Sequence, residues 1–487
     1  LGSVKSMIGH TMPAAGIAGL IKAALAVYHG VLPPTLHCDT PHPKLAETRF
    51  RALARAEEWR RPAAGRVAAV NAFGFGGING HVVLRGVAAP APVAPPAPPE
   101  VWLLAAASPA ELLARLERGE RDAHPNGARC RLAIVEPDAK KLALAKKAVA
   151  SGKPWHGRQQ IYFSPDGLLN DGGKLAFVFP GVDSRFAPQA EDLARFFGRP
   201  LPPYCETLDP KEALLPVAVG LLGFNRYLHD LLRQLHIVPD AMAGHSIGEW
   251  SAMLAAGMMD QATSDRANAE LDFDAMRFPD VLFLAASCDV ATLAGLLDDL
   301  PEIALSHDNC PNQVIACGAH ASVDRLAERL RDRHILHSVL PIVSGFHSPL
   351  FAGTMDWYRD FFGRAELVEP AVPVWSATTA QRFPSGLEDK RQLALDHLLR
   401  PVRFRELVEA LYADGCRVFV QVGFGSLTGF VNDTLAGRPH LALAANNDHR
   451  SGLAQLTQLC AALWVEGARF DTRLLASAQP VTAGRDI

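Results

Sequence analysis

The 487-residue sequence lacks a strong net charge and a cysteine framework. Its formal net charge of −3 gives no electrostatic reason to expect binding to nucleic acid or to an anionic membrane. The 8 cysteines are scattered and contain no C-x-x-C pair, so we expect neither a disulfide framework nor a metal site. This cysteine usage favours a reducing compartment, and we expect the protein to be cytoplasmic.

Long hydrophobic runs are also missing. The apolar run at residues 13–27 is short and contains Lys22, so we expect a buried helix there rather than a membrane span. Hydrophobic residues make up 49% of the chain and charged residues 20%, a balance that allows substantial cores, and the length suggests three or four domains. Because the sequence starts at Leu1 inside what reads as a folded segment, we expect it to be a fragment.

The most informative motif is GHSIGE at residues 244–249. The pattern before it predicts a short strand and the pattern after it predicts a helix. A sharp turn between them exposes the Ser246 hydroxyl and directs the next backbone N–H at a reacting oxyanion. Both glycines are needed, because a β-carbon there would collide with the neighbouring strand or helix. His347, in SGFHSP at 344–349, is the candidate acceptor for the Ser246 proton.

The proline-rich segment at residues 87–100 separates two regions of globular sequence and is typical of a stiff connector. Before it, the sequence predicts a helix at 14–28 and strands at 67–72 and 81–84. A glycine-rich loop joins those strands, which we interpret as an active-site loop or tight hairpin rather than a nucleotide site. Residues 100–172 predict a small α/β module that serves as an adaptor.

A larger α/β domain begins near residue 174, and its alternating strands and helices favour a parallel sheet. Residues 281–341 form a separate unit with the order strand, helix, strand, strand, helix, strand. That order predicts a ferredoxin-like subdomain inserted between Ser246 and His347.

Several motifs, in the right order, resemble type I polyketide and fatty-acid synthases. The serine and histidine motifs, FVFPG at 177–181, RPVRF at 400–404 and VQVGFGSLTGF at 420–430 resemble the acyltransferase of these enzymes. SVKSMIGHT at 3–11 and FGFGGINGH at 73–81 resemble the C-terminal part of a β-ketoacyl synthase. Residues 100–172 resemble the linker domain between the two, so the resemblance covers nearly the whole chain.

The resemblance implies a fold for each segment. Residues 1–86 would be the end of a thiolase-like ketosynthase, and residues 87–172 the connector and linker domain. Residues 173–280 and 342–475 would form an α/β-hydrolase-like large subdomain of the acyltransferase, with 281–341 as its ferredoxin-like small subdomain.

The resemblance also implies roles for individual residues. Ser246 would attack an acyl-CoA thioester while His347 takes its proton. The backbone carbonyl of His397, rather than a carboxylate, would orient His347. Backbone N–H groups of Val182 and Ile247 would hold the oxyanion, each contributing roughly 3 kcal/mol to the barrier reduction.

The partners implied are acyl-CoA, the phosphopantetheine thiol of an acyl carrier protein, and the rest of a megasynthase, including the N-terminal half of the ketosynthase. No cofactor would be bound by this chain. His245 and Asn309 would line the substrate cleft, although core packing and turn capping explain them equally well.

Lys5, His10 and Phe75 match ketosynthase positions, Phe75 in the gating loop. The family places the nucleophilic cysteine and the first histidine upstream of Leu1, so we expect this chain not to condense acyl groups by itself.

Two departures from the family pattern bear on the substrate. FPGVDSR at 179–185 replaces FPGQGSQ, and Val182 should preserve the main-chain oxyanion donor. Members specific for malonyl groups carry an arginine where this sequence has Leu271, unless a small gap brings Arg266 into register. A buried malonyl carboxylate without that partner would cost several kcal/mol, which favours an uncharged acyl group. Phe346 instead resembles the malonyl-type pattern, so both acyl classes stay open.

Two other functions compete with acyl transfer to a carrier. A serine hydrolase or thioesterase would have the same strand, sharp turn and helix around its serine, but would discharge the acyl-enzyme to water. A non-catalytic docking platform would explain the changes at 182–185 as a decayed site. Only acyl transfer predicts discharge that depends on a carrier protein.

Overall fold

The computed structural model describes residues 1–74, 77–87, 96–122, 128–183, 185–206, 208, 214–270, 278–300, 302–340 and 344–475. It divides into two compact units, residues 1–94 and 95–487. Phe75 and Leu271, both predicted site residues, lie outside the described residues.

The first unit is built on one long helix and a hairpin. Its elements are α1 (Lys5–Ile8), α2 (Ala15–His29), β1 (Val31–Leu32), β2 (Glu57–Glu58), β3 (Val67–Phe73) and β4 (Asn79–Arg85). Strand β1 pairs with β2, and β3 pairs with β4, both antiparallel. Helix α2 packs on β3 and β4.

The expectation that the helix at 13–27 is buried is wrong. Only Ala26 and Val27 of α2 are buried. Among the described residues the helix packs mainly on the hairpin of β3 and β4, and so small a sheet covers only one side of it. Residues 12–29 are long and apolar enough to cross a membrane, a criterion that core helices and signal sequences also meet. The large apolar side chains left exposed on the helix are Ile17, Ile21, Leu25 and Tyr28.

The second unit opens with a small α/β domain. Its elements are β5 (Val101–Ala106), α3 (Pro109–Glu117), β6 (Cys130–Val135), α4 (Ala139–Ala150), β7 (Trp155–His156) and β8 (Ile161–Ser164). The strands form an antiparallel sheet in the order β5-β6-β8-β7. Both faces of this sheet are buried, because side chains alternate between them along each strand. Leu104 packs toward the domain's own helices, whereas Leu103 joins the core of the following domain.

The large α/β subdomain carries the central sheet. Its first part is β9 (Lys174–Phe179), α5 (Glu191–Phe197), α6 (Leu214–Gln234), β10 (Ala241–Gly244), α7 (Gly248–Ala255) and α8 (Gln261–Glu270). The small subdomain then follows as β11 (Leu282–Ala286), α9 (Val290–Leu297), β12 (Ile303–Cys310), β13 (Gln313–Gly318), α10 (His320–Asp332) and β14 (His337–Leu340).

The chain then returns to the large subdomain. Its remaining elements are α11 (Asp356–Arg364), β15 (Val374–Ser376), β16 (Gln381–Arg382), α12 (Leu387–Leu399), β17 (Val402–Arg403), α13 (Phe404–Ala413), β18 (Cys416–Gln421), α14 (Leu427–Thr434), β19 (Leu441–Ala444) and α15 (Gly452–Val465). Helix α15 packs against β6 and so joins the small α/β domain to this one.

The two sheets confirm the predicted fold class. The central sheet has the order β16-β15-β10-β9-β18-β19, and its pairs are parallel except at the edge strand β16. The small subdomain has the order β14-β11-β13-β12 with antiparallel pairs, which is the ferredoxin-like arrangement of a βαββαβ unit. Strand β17 adds to β12 in parallel and connects the two subdomains.

Candidate active site

The serine lies at the carboxyl end of a central strand, where parallel α/β sheets place their ligand sites. Strand β10 ends at Gly244, and Ser246 takes a left-handed conformation with φ of 53° before α7 begins. A β-carbon on Gly244 would lie 2.1 Å from the backbone nitrogen of Glu249. One on Gly248 would lie 2.1 Å from the carbonyl oxygen of Phe179. The predicted reason for both glycines is therefore confirmed.

His347 is the hydrogen-bond partner of the serine. The Ser246 Oγ lies 2.7 Å from Nε2 of His347. The other ring nitrogen, Nδ1, donates to the carbonyl oxygen of His397 at 2.8 Å, and the His347 backbone N–H donates to the carbonyl oxygen of Leu398 at 2.8 Å. The tautomer is therefore fixed, with Nε2 free to accept the serine proton.

The C-terminal end of α12 supplies both of those carbonyls. The last carbonyl groups of a helix have no partner within it and carry its negative end of the dipole. Their proximity favours a positive charge on His347 as it takes a proton. Burial, with His397 second, holds the pKa of His347 well below its usual range, so the ring is neutral at pH 7 and can act as a base.

A buried carboxylate supports the histidine-orienting residue, and the sequence reasoning missed it. Nδ1 of His397 lies 3.4 Å from Oε2 of Glu249, and its Nε2 donates to the carbonyl oxygen of Ser246 at 3.0 Å. Glu249 also accepts hydrogen bonds from Ser376 Oγ and from the backbone N–H of Ala377, each at 2.9 Å. Glu249 belongs to the GHSIGE motif, which was the available signal.

The two backbone N–H groups predicted to hold the oxyanion are available to donate hydrogen bonds. Within the described chain, neither Val182 N–H nor Ile247 N–H donates a hydrogen bond to another residue. Ile247 immediately precedes α7, where the helix dipole favours negative charge. A β-carbon on Gly181 would lie 2.6 Å from the carbonyl oxygen of His245, so glycine is required for this close approach.

The altered residues at 182–185 have partners. Ser426 Oγ donates to Oδ2 of Asp183 at 2.7 Å, and Arg185 forms an ion pair with Asp448 at 2.9 Å. The substitutions therefore attach this loop to the segments on either side of α14 and β19, which is a structural reason for Asp183.

A cavity of about 190 Å³ opens onto the serine. Among the described residues its polar lining consists of Ser344, Ser246, Tyr358 and four histidines, and its remaining lining is apolar. Phe346 lines it and packs against Phe351 at 4.3 Å between ring centroids. A larger cavity of about 390 Å³ elsewhere is lined by described residues that include no serine, cysteine or histidine, so they offer no hydroxyl, thiol or imidazole nucleophile.

The other predicted site residues lie in three different places. His245 lines the cavity, and its Nε2 donates to Oδ1 of Asn309 at 2.8 Å, so the pair connects the large and small subdomains. Arg266, considered as a replacement for the missing arginine, is exposed and donates to Thr263 Oγ1 at 3.0 Å rather than lining the cavity. Lys5 and His10 are exposed residues of the first unit.

The described residues also lack a cluster of side chains of the kind that binds a metal ion in proteins. Among the described residues no group of three or more histidine, cysteine, aspartate or glutamate side chains is arranged to hold a metal ion.

An α/β domain with a serine–histidine pair and an inserted ferredoxin-like subdomain has the fold of an acyltransferase. Residues 216–449 match the family described as "Acyl transferase domain", and residues 1–39 match "Beta-ketoacyl synthase, C-terminal domain". The chain thus contains an acyltransferase domain and a ketosynthase C-terminal segment, and its resemblance to type I polyketide synthases is confirmed.

Polyketide synthase proteins are similar to this chain in sequence. The spectinabilin polyketide synthase system protein NorB of Streptomyces orinoci is 31% identical over 90% of this chain. The phenolphthiocerol synthesis polyketide synthase type I Pks15/1 of Mycobacterium marinum is 27% identical over 97% of it. This chain spans only 22% and 24% of those two proteins.

Solved structures show the same fold. The acyltransferase domain from the second module of the salinomycin polyketide synthase is 22% identical, with a TM-score of 0.60, over 77% of this chain and 95% of that one. The domain from module 8 of the same synthase is 20% identical, with a TM-score of 0.62, over 77% and 97%. At these identities the likeness concerns the fold alone.

Proposed function

We propose that this chain transfers an acyl group from coenzyme A to the phosphopantetheine thiol of an acyl carrier protein, through an ester on Ser246. The observation that carries the proposal is the 2.7 Å contact between Ser246 Oγ and His347 Nε2, with Nδ1 of His347 held by the His397 carbonyl. The pair opens onto a cavity that can hold an acyl group.

In the first half-reaction, His347 Nε2 takes the proton from Ser246 Oγ as that oxygen attacks the thioester carbonyl carbon. The carbonyl oxygen becomes an oxyanion held by the N–H groups of Val182 and Ile247. The carbon–sulfur bond then breaks, and the leaving CoA sulfur takes the proton from His347. The acyl group remains as an ester on Ser246.

The second half-reaction repeats these steps with a different nucleophile. His347 takes the proton of the carrier's phosphopantetheine thiol, the sulfur attacks the ester carbonyl, and Ser246 Oγ leaves with the proton from His347. Because the carrier thiol can bind only after CoA leaves, the kinetics would be ping-pong. A carrier protein and the remaining domains of a megasynthase are the partners that this reaction requires.

We also propose the domain division 1–86, 87–172, 173–280 with 342–475, and 281–341 for these functions. Lys5 and His10 would serve a ketosynthase site completed elsewhere in the megasynthase.

Intact-protein mass spectrometry tests the proposal. We expect brief incubation with malonyl-, methylmalonyl-, acetyl- and longer acyl-CoAs to give an adduct of one acyl group that is absent from Ser246→Ala. The exposed Ser338→Ala is the matched control and should acylate like the wild type. Adding holo acyl carrier protein should then discharge the adduct onto the carrier.

Other outcomes point to the competing functions. Equally fast discharge to water with and without the carrier would indicate a hydrolase or thioesterase. The absence of an adduct from every acyl-CoA would indicate a docking platform.

A further inference from the structure

His307 reaches the substrate cavity because of an irregularity in its strand. Leu305 pairs with Ala316, and His307 pairs with Ile315, so Ser306 is an extra residue in β12. Such a bulge turns the next side chain to the opposite face of the sheet. Leu305 packs with the core under α9 and α10, whereas His307 joins Ile315 in lining the cavity.

The residues around His307 on this strand have structural partners. Ser306 Oγ donates to the carbonyl oxygen of Phe346 at 3.1 Å, Asp308 pairs with Arg405, and Asn309 holds His245. The side chain of His307 is 8% exposed and has no hydrogen bond to any described residue. A buried polar group without a partner destabilises the fold, so a phenylalanine would be the better choice for packing alone.

The position of the ring suits contact with an acyl chain. Its centroid lies 5.1 Å from that of His347 and 5.2 Å from that of His245, stacked on the latter at an interplanar angle of 17°. The cavity is lined by both His307 and Ser246. A group bound to the serine can therefore reach this ring through the cavity.

The ring is neutral and offers a donor. Burial, followed by the neighbouring His347, His245 and His397, holds the pKa of His307 well below its usual range. Nδ1 is enclosed without a partner. An enclosed lone pair is tolerated better than an enclosed N–H, which favours the tautomer with the proton on Nε2, the nitrogen at the open edge of the ring.

The surroundings favour an uncharged acyl group. The described residues that line the cavity include no lysine or arginine, so none of them would serve as the counter-ion of a buried malonyl carboxylate. With about 30 Å³ for each water-sized group, a volume of about 190 Å³ has room for roughly six such groups, enough for a short chain.

We propose that His307 is a specificity-determining residue that donates a hydrogen bond to an uncharged keto or hydroxyl oxygen on a short acyl chain held at Ser246. This inference rests on the proposed acyltransferase function and names its substrate class.

The test compares three four-carbon chains, butyryl-, 3-hydroxybutyryl- and acetoacetyl-CoA, together with malonyl-CoA, by initial rates of Ser246 acylation. We expect at least one oxygen-bearing chain to acylate about tenfold faster than butyryl, the size of one net hydrogen bond. His307→Phe should reduce that rate ratio to near one, and His307→Asn, which keeps an N–H donor, should retain more of it. His320→Phe, on the exposed surface of the same subdomain, is the matched control and should keep the wild-type ratio.

Three outcomes would overturn the inference while leaving acyl transfer intact. They are equal rates for the butyryl and oxygen-bearing chains in the wild type, an unchanged ratio in His307→Phe, and fastest acylation by malonyl-CoA. If no acyl-CoA acylates the His307→Phe variant, the His307→Asn variant is used for the comparison instead. A rate ratio near one in His307→Asn would also overturn the inference. No acylation of the wild type by any acyl-CoA would overturn both the proposed function and this inference.

Discussion

The imidazole Nε2 of His397 donates a hydrogen bond to the backbone carbonyl oxygen of Ser246 at 3.0 Å. The same residue accepts from His347 Nδ1 through its own backbone carbonyl. His397 thus contacts both members of the serine–histidine pair. Nδ1 of its ring is hydrogen-bonded to Thr378 Oγ1 at 3.0 Å and lies 3.4 Å from Oε2 of Glu249, which is on the helix that follows the serine.

Removing the His397 ring should slow acylation without much change in substrate binding. His397→Ala keeps the carbonyl that orients His347 but removes the support of Ser246, whose left-handed backbone costs roughly 1–3 kcal/mol to maintain. We expect kcat to fall roughly 10- to 100-fold with KM within about twofold, as when a positioned group is misplaced. Steady-state kinetics measures this, and the exposed His449→Ala is the control. An unchanged kcat would contradict the role.

The pH dependence of acylation should follow His347. Only the neutral ring can take the serine proton, and burial lowers its pKa. Activity should therefore persist as the pH falls through 6.5 and be lost only at more acidic pH. Single-turnover acylation at a series of pH values, with circular dichroism to verify folding, measures the midpoint. A midpoint above 6.5 would mean that the free enzyme stabilises the imidazolium.

Acid should destabilise the fold through His229, which is buried beside Phe177 and Phe179. Burial lowers its pKa from 6.5 to about 4, so the unfolded chain binds this proton more readily. The stabilisation is present above pH 6.5 and decreases by roughly 3 kcal/mol as the pH falls to about 4. The shifts at His245, His307 and His347 act in the same direction, whereas the raised pKa of Glu249 acts in the opposite one.

The variant His229→Met isolates this contribution. Denaturant unfolding between pH 7 and pH 5 should show a weaker decline in the free energy of unfolding than in the wild type. His449→Met, at an exposed position, should keep the wild-type slope. An identical slope in His229→Met would show that His229 is not the group responsible.

The sharp turn around Ser246 should not tolerate a methyl group at Gly248. In Gly248→Ala the new β-carbon would lie 2.1 Å from the carbonyl oxygen of Phe179, so strand β9 or helix α7 must shift. We expect loss of acylation and a fall of about 1–3 kcal/mol or more in the free energy of unfolding. Gly429→Ala, on the exposed side of α14 with nothing within 4 Å, should instead gain about 0.5–1 kcal/mol. Similar effects of the two substitutions would contradict this account.

Much of the fold could be predicted because its signals are local. The strand–turn–helix around Ser246 is encoded by the consecutive residues 241–255, and the βαββαβ order follows from hydrophobic periodicity. Strand β12 runs from Ile303 to Cys310. Its last residues are polar, which usually indicates a loop, yet here they are buried. Groups from other segments satisfy Ser306, Asp308 and Asn309, but not His307.

The sequence by itself was enough to predict the family resemblance, Ser246 as the candidate nucleophile, His347 as the candidate base, and the glycines that permit close approach around the serine. Only the tertiary structure decided which distant groups support them, because contacts such as Glu249 with His397 join residues 148 positions apart, and periodicity carries no information about them. It also decided that His307 faces the cavity, since a bulge is set by pairing with β13 and reverses the face that alternation predicts. The tertiary structure likewise decided that one face of α2 is exposed, because burial depends on what packs against a helix and not on the helix's own residues.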